Sequence, residues 1–284
     1  MLLNFLSYLR KCFFYLRKGG IKNLIKFIEF QKFENQVFGK KSLKWNTAGY
    51  WEMFPMPNEK ELFKFYSEIY WLNNHYYKDV LLNYRDISHL KFIEKYMISS
   101  LGVSSTFLNF GAGHGGLSFL IAAKNVKVIN IEPSEIYSSD LINFNSFKNL
   151  DEFNKSELKN EKVDLIYSSH TLEHLPNPNY FFNSILQLLK PNGKVFIEVP
   201  NCRRSMIPNN YAEGGCDGKT TGSHLLYFTK DFFEKLNAEI FFISEELNNH
   251  TNYKEVVSED EADCIRAIIK SEDISKYLKN YKNY

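Results

Sequence analysis

Residues 106–132 constrain the fold more than any other stretch. Thr106–Phe110 is a short apolar run suited to a buried strand, and Gly111-Ala112-Gly113-His114-Gly115-Gly116 follows it directly. A turn so rich in residues without a Cβ can bend tightly and let the backbone approach a ligand closely. Gly116–Lys124 then reads as a helix and Val126–Ile131 as a second strand, closed by Glu132. Strand, tight turn, helix and strand make the opening unit of a parallel sheet, which must bury both faces against further elements.

The downstream pattern supplies them. Leu141–Phe147 is a weaker third strand and Val163–Ser168 a strong fourth. A helix at Pro178–Leu189 and a turn at Lys190-Pro191-Asn192-Gly193 lead into a fifth strand, Lys194–Val199. After a long loop over about 200–228 come a helix at Thr229–Leu236 and late strands at Glu239–Ile243 and Cys264–Ile269. The expectation is an α/β fold: a Rossmann-like, doubly wound, mostly parallel seven-stranded sheet over residues 101–284. Ligands of such sheets bind beyond the carboxyl ends of the central strands.

Residues 1–100 form an added N-terminal helical and aromatic cap. Leu2, Phe5, Leu6, Leu9, Phe13 and Leu16 recur at helical spacing, Gly19-Gly20 breaks the run, and Ile21, Leu24, Ile25 and Ile28 resume it. This predicts two short amphipathic helices. Residues 42–100 read as mostly helical, with an ordered loop at 49–57 and helices at Asn58–Tyr70 and Ser88–Met97.

An apolar share of 44% excludes global disorder. Lys+Arg of 35 against Asp+Glu of 33 gives net +2, which argues against a nucleic-acid partner. Residues 1–41 nonetheless hold nine basic and two acidic residues. Their basic amphipathic pattern suits either peripheral contact with an acidic membrane surface or a helical flap with a solvated face. Four scattered cysteines without a C-x-x-C pair argue against a disulfide framework and suit a cytoplasmic location, to which the basic N-terminal pattern adds peripheral contact at the inner membrane surface. The start lacks secretory order, and the uncharged stretch Met97–Ala123 is cut by Gly, Ser, Asn and His.

Three motifs carry chemistry. Glu132, 21 residues after Gly111, is placed to accept the ribose hydroxyls of an adenosine; Gly111, Gly113 and Gly116 equally satisfy the dinucleotide pattern G-x-G-x-x-G. Tyr167-Ser168-Ser169-His170-Thr171-Leu172-Glu173-His174 lies at the carboxyl edge of the fourth strand. His170, Glu173 and His174 spell H-x-x-E-H, but Pro176 and Pro178 stop the long helix a zinc protease needs, and no metal is expected. His174 and His224 are candidate general bases, with Glu173 beside them. Arg203 and Arg204, on the long loop, are candidates for an acceptor phosphate or carboxylate. His75, His89 and His250 read as structural or surface residues.

The ordered set Phe107-Leu108-Asn109-Phe110-Gly111-Ala112-Gly113, Val163-Asp164-Leu165-Ile166 to Leu172-Glu173-His174, Leu189-Lys190-Pro191-Asn192-Gly193 to Val199-Pro200-Asn201, and Gly222-Ser223-His224 to Phe228 resembles the class I S-adenosylmethionine-dependent methyltransferases. The resemblance spans about residues 50–270. It implies S-adenosyl-L-methionine as cofactor, S-adenosylhomocysteine as product, and a cofactor site of Asn109, Gly111, Ala112, Gly113, His114, Glu132, Pro133, Ser168, Ser169 and His170. It places adenine near Asn145–Phe147, and Tyr66 and Tyr70, with Arg203 and Arg204, toward the acceptor. Asn109 departs from the family's usual acid. The implied reaction is O-methylation of a small polar or anionic acceptor, such as a sugar, a sugar nucleotide or a phosphate-bearing precursor of a bacterial surface polysaccharide. The alternatives are an NAD(P)-dependent oxidoreductase and a non-catalytic binding module of methyltransferase type.

Overall fold

The computed structural model describes residues 2–38, 42–69, 82–134, 137, 141–202, 224–245 and 253–281. The chain opens with one helix, α1 (Leu2–Phe38), not two. Gly20 takes φ +67° within it and the helical pattern resumes at once, so the glycine pair bends the run without ending it. Phe27, Phe30, Val37 and Phe38 on its second half are buried, while Phe13, Ile21 and Ile25 are exposed.

A hairpin of β1 (Ser42–Asn46) and β2 (Tyr50–Phe54) comes next, where a loop within a mostly helical region was expected. Trp45 and Trp51 pair across it edge to face. α2 (Glu59–Lys64) starts at Asn58, whose side chain caps it by accepting from the Lys60 amide, and runs into a π-helical turn at Phe65–Ile69. α3 (Tyr84–Met97) leads to the main sheet.

The sheet begins with β3 (Thr106–Phe110), α4 (Gly116–Ala122) and β4 (Lys127–Ile131). β5 (Asn145–Phe147) is shorter than the expected third strand. α5 (Leu150–Lys155), β6 (Val163–Ser169), α6 (Pro178–Leu188) and β7 (Leu189–Pro200) follow. β8 (Leu226–Phe228), α7 (Lys230–Lys235), β9 (Glu239–Glu245), β10 (Tyr253–Val256), β11 (Cys264–Lys270) and α8 (Ser271–Asn280) complete the chain.

The strand order is β10-β9-β11-β7-β6-β3-β4-β5, eight strands rather than seven because β10 adds an edge hairpin to β9. The β5-to-β7 block is parallel and the β11–β9–β10 block antiparallel. A second sheet, β1-β2-β8, ties the N-terminal hairpin to residues 226–228. Apolar residues of both sheet faces make two cores, one with α1, α6, α7 and α8 and one with α3 and α4. Cys12 and Cys264 are free.

Candidate active site

The order reverses between β3 and β6, so the loops leaving their carboxyl ends diverge and open a crevice. A cavity of about 610 Å³ lies there, a size suited to a small-molecule ligand. The glycine loop forms one wall. Gly111 has φ +79°, and a Cβ on it would lie 2.1 Å from Thr171 Oγ1, so only glycine fits. Gly113 has φ +54°, and a Cβ there would meet nothing within 4 Å, which leaves its backbone facing open space.

Glu132 is buried at the end of β4. Its Oε2 accepts from the Gly113 amide at 2.7 Å and its Oε1 from the Ser134 amide at 2.9 Å. Burial pushes its carboxyl up to about 7 against the pull of those two amides. Each oxygen keeps acceptor capacity for a ligand hydroxyl.

Asn109 is set by a chain of side chains running across the sheet. Its Nδ2 donates to Ser118 Oγ (2.9 Å), Ser118 Oγ to Asn130 Oδ1 (2.7 Å), Asn130 Nδ2 to Ser146 Oγ (3.4 Å), and Ser146 Oγ to the Leu141 carbonyl (3.1 Å). The last oxygen can only accept, so every donor in the chain points one way. Asn109 Oδ1 is thereby left buried without a hydrogen-bond partner, on a residue that walls the cavity. Such an atom is costly unless a ligand donor meets it. The residue that departs from the usual acid therefore still presents an oriented acceptor.

The far wall carries the second motif. His170 follows β6 with φ +48°, an unusual conformation for a side chain of its size. Its imidazole bridges two buried carboxylates: Nδ1 lies 3.3 Å from Glu173 Oε1 and Nε2 3.4 Å from Glu198 Oε1. Burial and the Arg85 charge oppose its protonation, yet contacts with Cys264, Glu173 and Glu198 prevail and hold it well above the usual histidine range. Leu172–His174 is a single 3-10 turn, as the prolines require. The Leu225 amide donates to the Glu173 carbonyl at 2.8 Å, which brings His224 against this turn. The His174 and His224 rings lie edge to face at 4.8 Å, and the Tyr66 hydroxyl is 3.1 Å from His174 Nδ1. Burial, then the neighbouring His174, lowers His224 to about 3.

Of the expected residues, Asn109, Gly111, Ala112, Gly113, His114, Glu132, Pro133, Ser169, His170, Glu173, His174, His224 and Tyr66 line this one cavity. Ser168 does not; it is buried in β6. Tyr70, Arg203 and Arg204, with His75 and His250, lie outside the described residues. Lys148, Asn149, Leu150 and Asp151 wall the cavity just beyond the Asn145–Phe147 segment proposed for adenine. Asp86, which meets His114 Nε2 at 3.3 Å, was not foreseen.

Behind the cavity, Glu198 anchors a network that sequence reading missed. Arg266 Nε donates to its Oε2 at 2.5 Å, while Ser169 Oγ (3.1 Å) and His89 Nε2 (2.9 Å) reach its Oε1. The Tyr167 hydroxyl donates to His89 Nδ1 at 2.6 Å. Burial lowers His89 to about 4 despite Glu198, so it is a neutral donor there. The available signal was one charge inside each of two apolar runs, Glu198 in Val195–Val199 and Arg266 in Cys264–Ile269, which the register sets opposite each other.

Residues 87–242, more than half the chain, match a family model described as a methyltransferase domain. The chain belongs to that family. Membership sets the oxidoreductase alternative aside. Among solved structures, an S-adenosylmethionine-dependent methyltransferase of Thermotoga maritima is 15% identical, with 71% of this methyltransferase and 96% of that chain covered at a TM-score of 0.49. The N-methyltransferase NodS of Bradyrhizobium japonicum, solved with S-adenosyl-L-homocysteine, is 15% identical over 69% and 90%, at 0.45. One from Archaeoglobus fulgidus is 19% identical over 64% and 93%, at 0.44. No curated protein matches.

Proposed function

We propose that this methyltransferase O-methylates a small polar or anionic acceptor. S-adenosylmethionine is the cofactor and S-adenosylhomocysteine the product. The observation that carries the reading is one cavity with a nucleoside-binding wall and a wall of ionisable side chains. Glu132 is placed for the ribose hydroxyls, and the unpartnered Asn109 Oδ1 is an acceptor for the amino group. When bound, the cofactor supplies a methyl group on a sulfonium, already activated for in-line displacement.

The chain's task is therefore to hold, orient and deprotonate the acceptor. Orientation supplies up to about 7–11 kcal/mol in favourable cases, and a general base about 10²–10⁴-fold. His174, beside Tyr66 and Glu173, is the better placed base, because burial keeps His224 a weak one. The acceptor O–H bond breaks toward that imidazole as the O–CH₃ bond forms. Arg85 on the wall, whose charge reaches His170, supports an anionic acceptor. The choice of a sugar, sugar nucleotide or phosphate-bearing surface-polysaccharide precursor follows from the resemblance of the motif set. A cytoplasmic location with peripheral membrane contact belongs to the same proposal. It is supported by exposed Phe13 (71%) and Ile21 (69%) on the basic N-terminal helix. No helix among the described residues is long and apolar enough to cross a membrane.

The test combines binding with turnover. S-adenosylhomocysteine should raise the melting temperature and NAD should not. Labelled methyl should pass from the cofactor to hydroxyl acceptors, and His174→Ala should lower turnover at least tenfold while the melting shift persists. Unchanged turnover in both His174→Ala and His224→Ala would sink the base assignment.

A further inference from the structure

We propose that Glu173, His174 and His224 form a binding site for a divalent transition-metal ion whose open positions face the acceptor end of the cavity. One ligand atom from each residue lies within 4.8 Å of the others. Ligands at about 2.0–2.2 Å from a zinc-like ion stand about 3–4 Å apart, so a contraction of about 1 Å closes the set. Two imidazoles and one carboxylate suit Zn²⁺, Co²⁺, Fe²⁺ or Mn²⁺ better than the all-oxygen preference of Mg²⁺ or Ca²⁺.

Glu173 is the decisive residue. It is 1% exposed, and neither carboxylate oxygen has a hydrogen-bond partner. Its ion-pair contact among the described residues is with His170, 3.3 Å from Oε1. Buried charges are normally paired and hydrogen-bonded, or they coordinate metals.

A neighbouring trio shows what an unsuitable set looks like. His170, Glu198 and Cys264 are equally close together. There, however, both Glu198 oxygens are already taken, and the Arg266 guanidinium sits 2.5 Å from one of them. No cation can join without displacing that cation. Against the Glu173 carboxylate lies the His170 ring at 3.3 Å from Oε1, with no guanidinium bonded to it among the described residues, and all three residues of this trio line the cavity.

The prolines that rule out a zinc-protease helix do not rule out this set. Glu173 and His174 come from one 3-10 turn, and His224 is brought in by the Leu225-to-Glu173 backbone bond. The ion's role rests on the methyl-transfer reading: with the ion bound, His174 would serve as a ligand, the ion would hold the acceptor oxygen, and the acceptor proton would pass to cavity water in place of the imidazole that takes it in the metal-free protein. Its binding does not rest on that reading.

Full-length protein, treated with a chelator and freed of any purification tag, is titrated with Co²⁺ alone. The expected result is one equivalent bound, with a visible absorption band of a low-symmetry site. Glu173→Gln and His224→Ala should each weaken binding at least tenfold while both variants keep their melting shift with S-adenosylhomocysteine. Absence of Co²⁺ binding, or equal binding by both variants, overturns the proposal. Co²⁺ binding without any cofactor-product shift would instead overturn the methyl-transfer reading and leave the metal site standing.

Discussion

Glu198 and Glu173 are both buried in the same part of the molecule, and His170 touches both. Around Glu198 both oxygens have donors: a guanidinium on one, a hydroxyl and a neutral imidazole on the other. Around Glu173 the one charged neighbour in contact among the described residues is the His170 ring, 3.3 Å from Oε1, and the cavity begins. Burial alone therefore does not distinguish structure from function. The first carboxylate is completed by its own chain and holds β7 to β11; the second is left incomplete on the side where a ligand enters. Glu132 stands between them, with two amides satisfied and capacity remaining.

Glu198→Ala should break the comparison most severely. It strands Arg266 in the core, and removing one partner of a buried pair costs about 3–5 kcal/mol. A melting temperature lowered by about 6–20 °C is expected from thermal denaturation; a shift under about 2 °C would show that the network carries no stability.

Glu132 should give the next effect. Its folded pKa is raised, so its contribution to the free protein's stability is full below about 4.5 and lost as pH rises through about 7. The loss amounts to at most about 3 kcal/mol. Under the proposed ribose contact, binding has the opposite sign, because the hydroxyls would donate to the carboxylate. Affinity for S-adenosylhomocysteine, measured by calorimetry from pH 5.5 to 8.5, should tighten toward pH 8. Glu132→Gln should flatten both trends, and a wild-type affinity independent of pH would remove Glu132 from the ribose site.

Glu173→Gln should cost less than Glu198→Ala, about 1–3 kcal/mol, because it removes the charge contact with His170 and His174 that, against burial, holds the carboxyl down at about 2 but strands no guanidinium. Chemical denaturation checks this. A loss as large as that of Glu198→Ala would make Glu173 a structural residue and erase the distinction.

The legible parts of the fold were those with local signals. β3, the glycine turn, α4 and β4 follow from one continuous stretch, and α6 from Asn177 capping a helix with Pro178 at its start. The β1–β2 hairpin went unread because its third strand, β8, lies over 170 residues away. The N-terminal helix ran through a glycine pair that local propensity would end. In the site, the glycine loop, Glu132 and the His-Glu-His turn were legible because residue type and position along a strand suffice to place them. Glu198, Arg266 and His89 were not, since their meaning depends on partners up to 178 residues apart.

The pairing of β2 with β8 has a consequence for biosynthesis. The hairpin of residues 42–54 leaves the ribosome early, but the strand that completes its sheet arrives only with residues 226–228. Long-range pairings of this kind close slowly. The wall bearing His224 is thus among the last parts of the protein to assemble during translation, well after the glycine turn has been made.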